Sequence, residues 1–220
     1  MHRHNSFRLI HKALRTMLYD TSLRIQRVDL TSVEEGTPLM ADIELLIALF
    51  ETHAHSEDTH FNEPLEKLKP EVATLFEKEH EEDHRLGNAL SDIISQWRSA
   101  ADDQARVAAG EALFFAFNEY LAFNIYHMNK EETLLNETIW SVYTDEQIIG
   151  IEQQIVQSVP PEKMGEYAKW IFRGNNNADI AHWISGIKMG APAEVFGWIQ
   201  GLAQSELSHD RYKAVMAIVH

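Results

Sequence analysis

Between residues 5 and 137 the apolar positions recur every three to four residues in four long runs, the period of helices that bury one face. The first run, 5–28, carries Phe7, His11, Leu14 and Leu18 on one stripe, with Asn5 or Ser6 as its expected cap. A polar stretch, 29–37, separates it from the second, where Thr37-Pro38 reads as cap and first helical residue. The face of this second helix is Leu46, Leu49, Phe50, His53, Glu57 and Phe61, and Pro64 should kink or end it. Lys69-Pro70 opens the third, 70–98, whose inward side reads Leu75, Phe76, His80, His84, Gly87, Leu90 and Ile94. Residues 99–103 break the pattern, with Asp102 as a cap. The fourth helix then runs to about 137, with Leu113, Phe117, Tyr120, Phe123, His127, Glu131 and Leu134 on one side. Four long helices with short connections predict an all-α fold, an up-down-up-down four-helix bundle.

The texture changes after about residue 141. Thr144 and Gln147 have capping-box spacing. Pro160-Pro161, Gly174-Asn175-Asn176-Asn177 and Gly190-Ala191-Pro192 punctuate the rest of the chain. Five short helices are predicted over 144–220, packed through Trp170, Phe172, Ile180, Trp183, Ile187, Phe196, Trp198 and Ile199. The expected organisation is a bundle at 1–140 and a helical C-terminal extension at 141–220. A repeat runs through the first part: His11 precedes His53 by 42 residues and His84 precedes His127 by 43, and acidic pairs come after the second His each time.

Composition narrows the chemistry. A formal net charge of −15 argues against nucleic acid and against an anionic membrane surface, both of which call for a basic face. The absence of Cys excludes disulfides, thiolate zinc sites, iron–sulfur clusters and thiol catalysis. No apolar run approaches the roughly 18 residues of a membrane span. The start, Met1-His2-Arg3-His4-Asn5, is polar and does not read as a signal peptide, so a cytoplasmic protein is expected.

Any metal chemistry must therefore use His and carboxylate, and the spacing of these residues is informative. His53 and Glu57 are four apart, as are His80 and His84; Glu131 and Glu132 stand four and five after His127. Residues four apart on a helix share a face one turn along. With His11, four helices could bring five imidazoles and two carboxylates to one centre, a donor set for two transition-metal ions. Each carboxylate has two oxygens with which to bridge.

The order His, His-x3-Glu, His-x3-His, His-x4-acid resembles the hemerythrin-like (HHE cation-binding) domain over residues 5–137. The resemblance implies a non-haem di-iron centre with an oxo or hydroxo bridge. His11 and His53 would bind one iron, His80, His84 and His127 the other, and Glu57 would bridge. The second bridge is Glu132 by analogy with the oxygen carriers and Glu131 by analogy with iron-sensing and iron-centre-repair members. Helical period and the symmetry with His53/Glu57 favour Glu131. The expected ligand is O2 or another small diatomic or anionic molecule, handled by a binding or sensing protein; the alternative is a di-iron oxidase, peroxidase, nitric-oxide reductase or repair enzyme. Phe123 and Asn124 stand where the carriers have bulky apolar residues, and a polar Asn there weakens the expectation of a stable carrier. The C-terminal helices would be the surface for a protein partner.

Other residues read more plainly. His55 is about 200° from His53 around the helix and should face water. His60 is read as a helix-end histidine near water, and His2, His4, His182, His209 and His220 as ordinary ones. Tyr120 should point inward as core. A ferritin-like arrangement fails because the fourth helix has no Glu-x-x-His and the first has no inward Glu.

Overall fold

The computed structural model describes residues 3–219, and among them every element is a helix. The readings of His2 and His220 fall outside the described residues. The chain divides into two compact units, one of residues 1–6 and 18–159 and one of residues 7–17 and 160–220. The units divide at 159/160, and the first half of helix α1 (Arg8–Arg27) groups with the C-terminal helices. None of the helices is long and apolar enough to cross a membrane, among the described residues.

The first unit is built on α2 (Val33–Glu57), α4 (Pro70–Arg98) and α5 (Asp103–Lys130). The short α3 (Glu63–Leu65) lies between α2 and α4, and α6 (Asn136–Val142) and α7 (Asp145–Ser158) come after α5. Helix α2 begins a turn before the expected Thr37-Pro38. Ser32 caps it by accepting from Glu35 N at 3.2 Å, and Glu34 and Glu35 face the positive end of the dipole. Pro38 is thus inside the helix, where Thr37 Oγ1 donates to Val33 O at 2.7 Å. Pro70 and the Asp102 cap open α4 and α5 where the sequence places them; Asp102 accepts from Ala105 N at 2.8 Å.

The inward positions of α4 are Phe76, His80, Asp83, Gly87, Leu90, Ile94 and Trp97; those of α5 are Gly110, Leu113, Phe117, Tyr120, Asn124 and His127. Spacings of three and four alternate, a 3.5-residue seam. The helices run antiparallel: Asp83 meets Asn124, and Glu79 meets His127. Helix α2 is antiparallel to α4, with Glu44 on Arg98 at one end and Glu57 beside His80 at the other. In the second half of α1, Arg24 pairs with Asp42 of α2 at 2.5 Å. At the foot of this unit a Cβ on Gly36 would lie 2.2 Å from the Trp97 ring, and Trp97 Nε1 donates to Leu30 O at 2.8 Å.

This seam corrects several readings. Leu75 and His84, expected inside, are exposed, and so is Leu134. A one-residue error on a helix is 100°, enough to turn a side chain from core to water.

Two π-helical turns interrupt the helices, at Asp58–Asn62 and at Glu131–Leu135. In the first, Glu63 N bonds to Asp58 O; in the second, Asn136 N bonds to Glu131 O. Pro64 lacks an N–H and crowds the carbonyl four residues back, so a widened turn ahead of it is the local response. No proline accompanies the second turn. The expected fourth helix, ending near 137, thus continues through this turn into α6. The N-terminal residues dock on α6 and α7: Arg3 pairs with Asp145 at 2.5 Å and His4 with Glu152 at 2.8 Å, and Trp140 Nε1 donates to His4 O. Thr144 and Gln147 form the predicted capping box of α7.

The second unit holds α8 (Pro161–Gly174), α9 (Asn177–Gly190), α10 (Ala193–Glu206) and α11 (His209–Met216). Its core is Ala168, Phe172, Ile180, Ala181, Ile184, Ile199, Ala203, Leu207 and Val215, with Trp183, Ile187 and Phe196 against it. Trp198, expected to pack, is exposed. Residues 7–17 join this unit closely: Asn175 Nδ2 donates to Leu9 O at 3.1 Å, and Lys12 pairs with Asp179 at 2.5 Å. A Cβ on Gly174 would meet Lys12 O at 2.6 Å, which only glycine avoids.

Candidate metal centre

The last turn of α2 carries His53 and Glu57, four apart, with Nε2 3.1 Å from Oε1. Helix α4 brings His80, whose Nε2 is 3.3 Å from Glu57 Oε2 and 3.5 Å from Glu131 Oε1. These separations are longer than a good N–H···O bond. Helix α5 brings His127, whose Nε2 is 2.9 Å from Glu131 Oε1, the same i,i+4 relation as His53/Glu57. The His80 and His127 rings meet edge to face at 4.9 Å, and Phe123 stacks on His127 at 5.8 Å. Glu57, His80 and Glu131 are each 2% exposed or less.

Glu57, His80, His127 and Glu131 each offer one atom within 4.8 Å of all the others, and His53, Glu57 and Glu131 do likewise. The two carboxylates are common to both groups. Five of the expected ligands thus converge in the first unit: His53, Glu57, His80, His127 and Glu131. His84 does not join them; it is exposed, and Asp83 occupies the inward position after His80. Glu132 is half-buried and is not part of either group, whereas Glu131 is buried and belongs to both. His11 is fully buried on the first half of α1, in the second unit, where its ring lies 5.3 Å from Phe7.

Two carboxylates brought together in an apolar interior repel each other and lose their hydration, so they need positive charge between them. The imidazoles of His80 and His127 supply it. Burial by itself would push the His80 pKa down, but hydrogen bonds to Asp58, Glu131 and Glu57 outweigh it and push it up to about 12. Burial likewise opposes protonation of His127, yet Glu131 and Glu79 raise its pKa to about 10. Burial and Glu57 would push the Glu131 carboxyl up; His127 and His80 overcome both and hold it below its ordinary range.

Around these groups lies a ring of residues that spacing did not single out. Asp58 Oδ1 is 2.7 Å from His80 Nδ1, and Glu79 Oε2 is 2.8 Å from His127 Nδ1. Lys130 pairs with the other oxygen of Glu79. Asp58 and Glu79 sit next in sequence to Glu57 and His80, the one signal that could have found them. Deeper in the core, Asn124 Nδ2 donates to Asp83 Oδ1 at 2.7 Å and to Tyr120 O at 3.1 Å. Asn124 is therefore tied to Asp83. Burial raises the carboxyl of Asp83 and the hydroxyl of Tyr120 above their ordinary ranges. Tyr120 is core, as expected, and Tyr126 and His55 are exposed.

Three imidazoles and two shared carboxylates, with no sulfur, are a donor set that suits borderline ions such as iron, zinc or copper. No protein-family model, curated protein or solved structure matches the chain.

Proposed function

We propose that the first unit carries the centre of a hemerythrin-like four-helix bundle, that this centre binds two non-haem iron ions, and that the protein binds or senses O2 or a related small molecule. The observation that carries this reading is the placing of Glu57 and Glu131, both buried, within 4.8 Å of His80 and His127 and also of one another. A chain that needed only a stable core would gain from apolar residues there. The antiparallel pairing of α2 with α4 and of α4 with α5 supports the bundle.

In this reading Glu57 and Glu131 bridge, His53 serves one ion, and His80 and His127 serve the other. The sequence resemblance adds His11 to these ligands. Bound iron would supply reversible redox chemistry and open coordination positions. The second ion has two imidazoles here, not the three that the resemblance implies, because His84 faces water. The smaller set leaves more room for an exogenous ligand, which favours sensing or reactive handling over inert storage.

Metal analysis of protein expressed in iron-replete medium tests the reading. Two irons per chain are expected, with absorption bands in air that change on reduction and on adding azide. Iron well below two per chain, or zinc in its place after growth with both metals, would overturn it. Steady turnover of O2, peroxide or nitric oxide would move the same centre into the enzyme class.

A further inference from the structure

The outer nitrogens of the two core imidazoles are gripped in different ways. His80 Nδ1 meets Asp58 Oδ1 at 2.7 Å, and the same oxygen accepts from Asn62 Nδ2 at 2.8 Å. Asp58 and Asn62 are the first and last residues of the π-helical turn that follows Glu57 directly. His127 Nδ1 meets Glu79 Oε2 at 2.8 Å, and Glu79 Oε1 is taken by Lys130 Nζ, which also lies 5.6 Å over the Tyr126 ring. In both cases Nε2 is the nitrogen turned toward Glu57 and Glu131.

We propose that Asp58 and Glu79 are positioning residues that fix the Nε2-donor form of His80 and His127, and that Lys130 weakens the pull of Glu79, so that together they set the reduction potential of the bound ions. This rests on the metal-binding reading above. A carboxylate that accepts from Nδ1–H holds the tautomer and ring plane and makes Nε2 a stronger donor. A stronger donor favours the more highly charged ion and lowers the potential. Lys130 withdraws charge from Glu79, and Asn62 shares the oxygen of Asp58, so neither carboxylate acts at full strength. Lys130 is part-exposed, so substitution there is compatible with folding.

The test uses full-length, iron-loaded protein and near-isosteric variants, with the midpoint potential read by spectroelectrochemistry. Glu79→Gln and Asp58→Asn should raise it, and Lys130→Met should lower it. Each shift is expected to reflect about tenfold in the relative affinity for the two oxidation states, which is about 59 mV for one electron. Glu81→Gln, an equal charge change on an exposed neighbour, should shift it far less. A purely structural role would lower metal content or melting temperature in all variants without opposite signs of potential. Same-direction shifts, no shifts, or a Glu81→Gln shift as large as that of Glu79→Gln would overturn the tuning inference and leave the di-iron reading standing. A wild-type protein that takes up no iron would overturn both.

Discussion

Replacing Glu131 by Gln keeps the shape of the side chain and removes one negative charge from the middle of the site. Glu131 is 0% exposed, its Oε1 is 2.9 Å from His127 Nε2, and it belongs to both donor groups. Its loss should therefore weaken both ions at once. Outer partners of metal ligands are worth roughly 10–100-fold in affinity. A shared carboxylate ligand should cost at least the upper figure, about 100-fold or about 2.7 kcal/mol. Glu132→Gln makes the same charge change one residue on, at a half-buried position outside both groups. It should alter affinity by less than about twofold, since a screened charge is worth a fraction of a kcal/mol. Chelator competition, with metal counting after gel filtration, reads both, and circular dichroism confirms that each variant folds. Glu131→Gln is expected to keep less than one iron per chain and Glu132→Gln to keep two. Full occupancy in Glu131→Gln, or loss in Glu132→Gln, would refute the assignment of the bridge.

The packing sets three further outcomes. His84→Ala should leave metal content unchanged because His84 is exposed, whereas His80→Ala should empty one side of the pair; equal losses in the two would return His84 to the ligand set. Gly36→Ala forces a methyl to within 2.2 Å of buried Trp97 and should cost about 1–3 kcal/mol in urea unfolding, while Gly186→Ala, into open space on α9, should be neutral or stabilising; a Gly36→Ala as stable as wild type would mean the close approach is wrong. Glu152 holds the pKa of His4 above its ordinary value, so the pair contributes fully below that ordinary value and fades as pH rises through the raised one. With both side chains about one-third exposed the effect should stay below about 1 kcal/mol, and His4→Gln should flatten that part of the stability–pH curve; parallel curves would show that the pair contributes nothing.

Local signals are legible in the residues themselves. Pro70, the Asp102 cap, the Thr144/Gln147 box and the pairs His53/Glu57 and His127/Glu131 all depend on groups within four residues of each other, and all stand where spacing puts them. The start of α2 is harder to read because Thr37-Pro38 and Ser32-x-x-Glu35 are both good openings; Ser32 adds a turn, and Pro38 does not stop the helix.

What the residues alone determined was a set of helices and the His53/Glu57 and His127/Glu131 pairs, each carried on one helical run. Tertiary structure decided whether the third or the fourth residue after His80 faced inward. It chose Asp83, because α4 and α5 meet along a 3.5-residue seam and a lone helix at 3.6 does not define one. It also decided the π-helical turns, the carboxylates behind His80 and His127, and the passage of residues 7–17 to the C-terminal unit. Each of these depends on groups far apart in the chain, and a helix's own periodicity cannot carry the position of a neighbour it has not yet met.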